Sequence, residues 1–133
     1  MTQNELIWIK TGYEVFATSG SGNLRIESLA QKVGISKSSF YHYFADIEVF
    51  TQLLMNYHLE QSKIVAEKER NAQNISPELI DVLIEHKIDL LFNRQLRFFQ
   101  EKKLYKETLI KSNQIVGKEF ITVWVKGLKL TLN

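Results

Sequence analysis

The N-terminal part of the chain places apolar residues at the spacing of short amphipathic helices. Apolar positions recur three to four residues apart between residues 4 and 18, which predicts a first helix there. Residues 26–33 present one apolar face of a short second helix, and Gly34 is placed to end it. Ser36 is a suitable N-cap for a third helix over residues 37–43.

Gly12 lies inside the first predicted helix, where a glycine costs about 1 kcal/mol relative to alanine. Close packing of another helix at that point would explain it. Asp46 can cap a fourth helix that runs to about Arg70. A polar linker follows, and Ser76 with Pro77 forms a strong helix start, a cap followed by proline at the first helical position.

Residues 79–99 are apolar on most sides, which is typical of a central helix covered by its neighbours. Two more helices are expected near residues 104–112 and 114–130. Only one proline and six glycines occur in 133 residues, which also favours long helices over a β-sandwich. The pattern therefore predicts an all-α protein.

Two short helices joined by a tight turn containing glycine describe a helix-turn-helix. We therefore expect a DNA-binding domain over residues 1–45, with the motif at about residues 25–44. Residues 46–133 would form a helical regulatory region, linked to that domain by the helix over residues 46–70.

Composition narrows the function further. The chain has no cysteine, so it has neither a disulfide framework nor a thiolate zinc site, and its three histidines lack metal-binding spacing. We expect no cofactor and, for want of any catalytic constellation, no enzyme activity. No apolar run is long enough for a membrane span and no signal peptide is visible, so we expect a cytoplasmic protein.

The overall charge of the N-terminal half does not favour DNA binding. Residues 1–68 carry six lysines and arginines against seven acids, while residues 69–133 carry eleven against eight. A nucleic-acid-binding surface is normally basic. Any contact with DNA must therefore come from the local placement of a few residues.

The region of residues 4–58 resembles the N-terminal domain of TetR-type transcriptional regulators. The matching frame is Ile26-x-x-Leu29-Ala30-x-x-x-Gly34-Ile35-Ser36-Lys37-Ser38-Ser39-Phe40-Tyr41-His42-Tyr43-Phe44, followed by Phe50-x-x-Leu53-Leu54. The resemblance implies a bacterial-type, ligand-responsive repressor that binds a palindromic operator in double-stranded DNA as a homodimer. Its third helix would enter the major groove.

The resemblance also implies which side chains touch DNA, through phosphates that set position and base edges that set sequence. These are Arg25, Lys37, Ser38, Ser39, Tyr41, His42 and Tyr43. Phe40 and Phe44 should point inward. Tyr41 and Tyr43 are two positions apart on a helix and cannot both face the same way, so one of them belongs to the core. His42 is either a DNA contact or a packing residue.

Two positions depart from the family pattern. The family usually opens helix two with threonine or serine, where this chain has Leu24-Arg25-Ile26. Asn23 would then take over the cap and Arg25 the phosphate contact. A lysine usually opens helix four, where Ile47 stands here between two acids. Losing that cation should weaken DNA binding and make it less dependent on salt.

Aromatic residues in the second half of the chain can line an effector pocket, since relatives bind small, often apolar molecules between the corresponding helices. They are Phe92, Phe98, Phe99, Tyr105, Phe120 and Trp124. The alternative is an ordinary core. The polar residues His86, Asp89, Arg94 and Gln95 would either orient an effector or form a solvated edge.

Length is a third departure, because the family usually continues for about half as much again and dimerises through its last two helices. The chain is therefore either truncated or dimerises through other helices. This leaves an alternative function open, a protein-interaction module that has lost specific DNA binding and pairs with another chain.

Overall fold

The computed structural model describes the backbone of residues 1–132 and the side chains of residues 1–117. Within that part every regular element is helical, which confirms the predicted all-α class. The helices are α1 Gln3–Ser19, α2 Ile26–Val33, α3 Lys37–Tyr43, α4 Ile47–Asn71, α5 Ile80–Glu85, α6 Lys87–Phe98 and α7 Lys103–Leu132. Short helical turns at Ser21–Asn23 and Ile75–Leu79 join them. None of the described helices has the length and apolarity needed to cross a membrane.

Helix α1 is fixed at its start by a reciprocal cap and at its middle by close packing. The Thr2 hydroxyl accepts a hydrogen bond from the Glu5 amide, and the Glu5 carboxylate accepts one from the Thr2 amide. A Cβ atom on Gly12 would lie 2.6 Å from the ring of Phe50 on α4. The predicted helix contact at Gly12 is therefore confirmed.

The turn between α2 and α3 forms as predicted, because Gly34 ends α2 in the left-handed conformation with φ of 78°. Ser36 stands at the N-cap of α3, but its hydroxyl bonds Ser38 Oγ at 2.9 Å instead of the helix backbone. The expectation that Asn23 caps α2 is wrong. Arg25 occupies the N-cap without a side-chain bond, while the Asn23 amide donates back to the carbonyl of Ser19.

Aromatic rings hold α3 against α1 and α4. Phe40 is fully buried, with its ring centroid 5.4 Å from that of Trp8 and 5.2 Å from that of Phe50, both edge to face. Phe44 is also buried and lies 4.9 Å from Phe50. Edge-to-face pairs add to the gain from burial alone. The inward orientation expected for Phe40 and Phe44 is confirmed.

Helix α4 begins and ends where the sequence predicts. The Asp46 carboxylate accepts from the Val49 amide at 2.8 Å, and the helix runs through Asn71. After the linker, Ser76 is extended (φ −129°, ψ 126°) and helical structure follows it. The capping bond, however, comes from Asn74, whose side chain accepts from the Glu78 amide. Assigning that cap to Ser76 is wrong.

The prediction of a single helix over residues 79–99 is wrong. The helix is interrupted at His86, which separates α5 from α6. His86 adopts φ −102° and ψ 29°, and both nitrogens of its ring are bound by Lys68 and Asp89. These bonds offset the loss of helical geometry. Periodicity reports apolar burial and does not detect such a polar anchor.

The break expected near Asn113 is also wrong, because α7 continues without interruption from Lys103. Ser112 and Asn113 read as a polar interruption in the sequence. In the fold they bond other helices, Ser112 to Ser62 on α4 and Asn113 to Asn93 on α6. Polar side chains whose hydrogen bonds are made in this way are compatible with the interior of a helix.

One apolar core extends from Trp8 on α1 to Leu109 on α7. Helix α1 contributes to it on both sides, packing against α2 and α4 and also along α6. The division into residues 1–45 and 46–133 stays a prediction about chain organisation. The packing places the first helix of the DNA-binding part directly against the second part.

Candidate nucleic-acid interface and effector cavity

The outer face of α3 is polar and open. Lys37, Ser38, Tyr41 and His42 are exposed, and Tyr41 keeps 52% of its surface. Ser39 is half-buried. These four exposed side chains therefore lie on the surface that a recognition helix presents, while their role in binding DNA stays a prediction.

Of the two tyrosines, Tyr43 is the one that turns to the core, where it is half-buried and packs against the apolar cluster. The His42 ring stands edge-on to it, with centroids 4.8 Å apart. Tyr41 points outward and touches the edge of Phe40. Helical spacing alone could not decide which of the pair is exposed.

Lys37 is not a free cation. Its Nζ lies 2.6 Å from Oε1 of Glu27 on α2, and both side chains remain half-exposed or more. The hydrogen bond with Lys37 lowers the pKa of Glu27, and the same bond raises the pKa of Lys37. Both groups are thus charged at neutral pH, and the Glu27 carboxylate cancels part of the positive charge at the start of α3. Sequence reasoning missed Glu27.

The neighbouring surfaces carry the mixed charge that the sequence indicates. Arg25 is exposed at the start of α2. At the start of α4, Ile47 is half-buried against the core, whereas Asp46 and Glu48 are exposed. The Asp46 carboxylate is engaged as the N-cap of α4, where it accepts from the Val49 amide.

A second feature is a cavity of about 200 Å³ between α4, α6 and α7. Its polar side is formed by six residues: His58, Ser62, Asp89, Asn93, Ser112 and Asn113. Val65, Leu90 and Val116 form the apolar side. A cavity of about 150 Å³ admits a benzene ring. The space is therefore that of a small organic molecule, with polar and apolar side chains both available to contact it.

The polar side of this cavity belongs to a buried network centred on Tyr13 of α1. The Tyr13 hydroxyl donates to Asp89 Oδ1 at 2.6 Å and lies 2.7 Å from Nδ1 of His58. Burial and the charge of Asp89 raise the pKa of Tyr13 far above its ordinary value, so the hydroxyl stays protonated. Asp89 Oδ2 also accepts from the Gln61 amide.

The His58 side chain is neutral within this network. Burial lowers its pKa to about 4, against the opposing effects of the Asn93 hydrogen bond and the Asp89 charge. Both ring nitrogens have partners: Nδ1 lies 2.7 Å from the Tyr13 hydroxyl and Nε2 lies 3.0 Å from Oδ1 of Asn93.

His86 connects the network to the surface. Lys68 Nζ lies 2.9 Å from His86 Nε2 and can only donate, so that nitrogen accepts. The Nδ1–H of the ring then donates to Asp89 Oδ2 at 2.7 Å. Asp89 is therefore a buried carboxylate that accepts three hydrogen bonds, from the Tyr13 hydroxyl, the Gln61 amide and the His86 ring. His86 and Asp89, which the sequence left between effector contact and solvated edge, are both buried.

The predicted effector residues do not come together around one cavity within residues 1–117. Phe92 is fully buried in the core and stacks on Tyr13, and Tyr105 packs against Phe16. Phe99 is half-buried, whereas Phe98 is 62% exposed beneath Arg94. Phe120 and Trp124 lie outside the described side chains. The cavity wall is formed by other, mainly smaller residues.

Metal ligation has no support in the described part of the chain, which brings together no group of three His, Cys, Asp or Glu side chains suited to an ion. The two buried histidines are instead used as hydrogen-bonding groups.

The geometry of α2, turn and α3, with a buried aromatic inner face and an open polar outer face, defines a helix-turn-helix protein of the DNA-binding class. Residues 9–50 match the family model described as bacterial regulatory proteins, tetR family. Residues 9–50 are thus similar to the N-terminal domain of this family, which supports a DNA-binding transcriptional regulator, and the resemblance in the sequence is confirmed over those residues. No curated protein and no solved structure matches the chain.

Proposed function

We propose that the protein is a ligand-responsive repressor that binds a palindromic operator as a homodimer. The observation that carries the proposal is the outer face of α3, whose exposed Lys37, Ser38, Tyr41 and His42 are backed by the buried rings of Phe40 and Phe44. Such a helix can enter a major groove as a rigid unit. The role is that of a regulator rather than an enzyme, acting in the cytoplasm where its operator is.

Each side chain has a role set by its chemistry. Lys37 neutralises a phosphate or reaches a guanine edge, and the hydroxyls of Ser38 and Tyr41 donate to phosphates or bases. Arg25 contacts phosphate from the start of α2. Ser39, His42 and Tyr43 complete the proposed interface, and the half-buried positions of Ser39 and Tyr43 make their contributions the smaller ones.

The proposed ligand response rests on the position of Tyr13. This residue belongs to α1 of the DNA-binding part, yet its hydroxyl is bonded to His58 and Asp89, which line the cavity. A ligand that engages either group changes the contact that holds α1 against α4 and α6. It shifts the equilibrium only by its differential affinity for the two arrangements. In a dimer, whose recognition helices must lie about 34 Å apart, a change in α1 and α4 alters that spacing.

The test is a selection from random duplexes followed by fluorescence anisotropy at two salt concentrations with unlabelled random competitor. We expect a palindromic site, two protomers per site and binding that survives competitor. Lys37→Ala should weaken binding and reduce the salt slope by about 0.9 for each protomer bound. Lys63→Ala, an exposed lysine on α4 paired with Glu60, is the matched control and should leave both unchanged.

A second function, a protein-interaction module without specific DNA binding, is favoured by the negative charges around α3. Lys37 is paired with Glu27, and Asp46 and Glu48 stand at the start of α4. If the selection yields no preferred sequence and binding disappears at modest salt, this second function replaces the first.

A further inference from the structure

We propose that the cavity between α4, α6 and α7 selects a small organic cation, an amine that carries an apolar group, and discriminates against carboxylates. This inference deepens the proposed ligand response and depends on it for its biological meaning. It concerns the chemical class of the ligand, which the fold alone leaves open.

The first argument is the charge of the cavity wall. Asp89 is the one acidic side chain among the described residues that line it, and no lysine or arginine is among them. His58 is neutral because burial lowers its pKa. A buried negative charge in a medium of low dielectric attracts a cation and repels an anion strongly.

The second argument is that Asp89 has no direct countercharge among the described side chains. It makes no ion pair with a lysine or arginine there, and its contact with His86 is a hydrogen bond from Nδ1 of the ring. Lys68 reaches His86 and Glu85, not Asp89. A buried carboxylate without a lysine or arginine partner keeps a strong negative potential. A ligand ammonium would supply the missing opposite charge.

The third argument is size and shape. About 200 Å³ exceeds the space needed by one benzene ring but not by much. Val65, Leu90 and Val116 are the apolar side chains of its lining. The ligand is therefore small, with one cationic end directed to Asp89 and a compact apolar body.

The experiment measures binding of three probes of nearly equal size to the full chain by titration calorimetry: benzylamine, benzyl alcohol and benzoate. At neutral pH these are a cation, a neutral molecule and an anion. We expect benzylamine to bind about tenfold or more tightly than benzyl alcohol, and benzoate to bind weakest. Equal affinities, a preference for benzoate, or no binding of benzylamine would overturn the proposal.

Two variants locate the effect. Asp89→Asn should remove the preference for benzylamine while benzyl alcohol binds within about threefold of its original affinity, which also reports an intact cavity. Val116→Phe should block all three probes by filling the space. Another recess, of about 270 Å³, is also lined by Asp89 and includes Lys10 and Glu85. Benzylamine binding that survives Val116→Phe would assign the probe to that recess and overturn the proposal.

If Asp89→Asn does not fold, the order of the three probes on the unmodified chain still decides. DNA binding is titrated separately, with and without saturating benzylamine. Specific DNA binding with no amine preference overturns the ligand class and leaves the regulator standing. An amine preference without specific DNA binding leaves the cavity assignment standing and overturns the regulator.

Discussion

The helix-turn-helix and the junction of α1, α4 and α6 use buried side chains in opposite ways. Behind α3 the packing is aromatic, with Trp8, Phe40 and Phe50 in edge contact and the polar groups outside. At the junction, Tyr13 and Asp89 bring a hydroxyl and a carboxylate into the interior. The first arrangement holds one shape, because apolar packing does not depend on protonation or on a bound molecule. The second can be perturbed by both, which suits a site that receives a signal.

The largest expected effect comes from disrupting the aromatic packing behind α3. Phe40→Ala should lower the free energy of unfolding by about 3–5 kcal/mol, since it leaves a cavity between α1, α3 and α4 that cannot collapse. Urea unfolding followed by circular dichroism measures it. The adjacent Tyr41→Ala is the control and should stay within about 0.5 kcal/mol, because Tyr41 is largely exposed. Equal losses in the two variants would contradict the packing described.

The pH dependence of stability tests the polar junction of α1, α4 and α6. The pKa of His58 is about 4 in the folded protein and about 6.5 in an unfolded chain. Below pH 6.5 the unfolded chain therefore binds the extra proton, and stability falls as the pH is lowered towards 4. The loss from this residue amounts to about 3 kcal/mol at most.

His58→Gln, which cannot titrate, is the comparison for that measurement. Its unfolding free energy should decline less between pH 6.5 and 4.5 than that of the unmodified protein in urea titrations at fixed ionic strength. Parallel declines would mean that carboxylates alone cause the acid sensitivity.

Removing one hydroxyl from the junction should have an intermediate effect. Tyr13→Phe keeps the ring stacked on Phe92 but deprives Asp89 of a donor and His58 of its partner. The expected cost is about 1–3 kcal/mol in urea unfolding. Tyr57→Phe, at a half-buried position beside Tyr13, is the matched control and should cost less than about 0.5 kcal/mol. A Tyr13→Phe variant as stable as the control would show that the network contributes nothing net.

The smallest effect lies on the DNA side. Glu27→Gln releases Lys37 from its ion pair, so specific binding should tighten a few-fold and the salt slope should steepen by a fraction of one phosphate contact per protomer. Glu60→Gln removes the acid of a similar exposed pair with Lys63 and should change neither quantity. Anisotropy titrations over a salt series give both numbers. An unchanged slope in Glu27→Gln would mean that Lys37 does not approach a phosphate.

The comparison also explains which features could be predicted from the sequence. The helix-turn-helix followed from local signals, because Gly34, Asp46 and the apolar faces of short helices each act within a few residues of the feature they set. The break at His86 and the continuity of α7 through Ser112 and Asn113 did not, since their polar partners lie 18 to 50 positions away. The outward face of α3 was predictable, whereas its pairing with Glu27 and the network around Tyr13 depend on the tertiary arrangement.

Gly12 carries a consequence for how this sequence can vary. The ring of Phe50 occupies the space that a side chain at position 12 would fill, so these two residues together set the separation of the first and fourth helices. Alanine at position 12 would force the ring of Phe50 to shift, and a smaller side chain at position 50 alone would leave a hole. We therefore expect exchanges at the two positions to be coupled, with a larger residue at position 12 accommodated best by a smaller one at position 50.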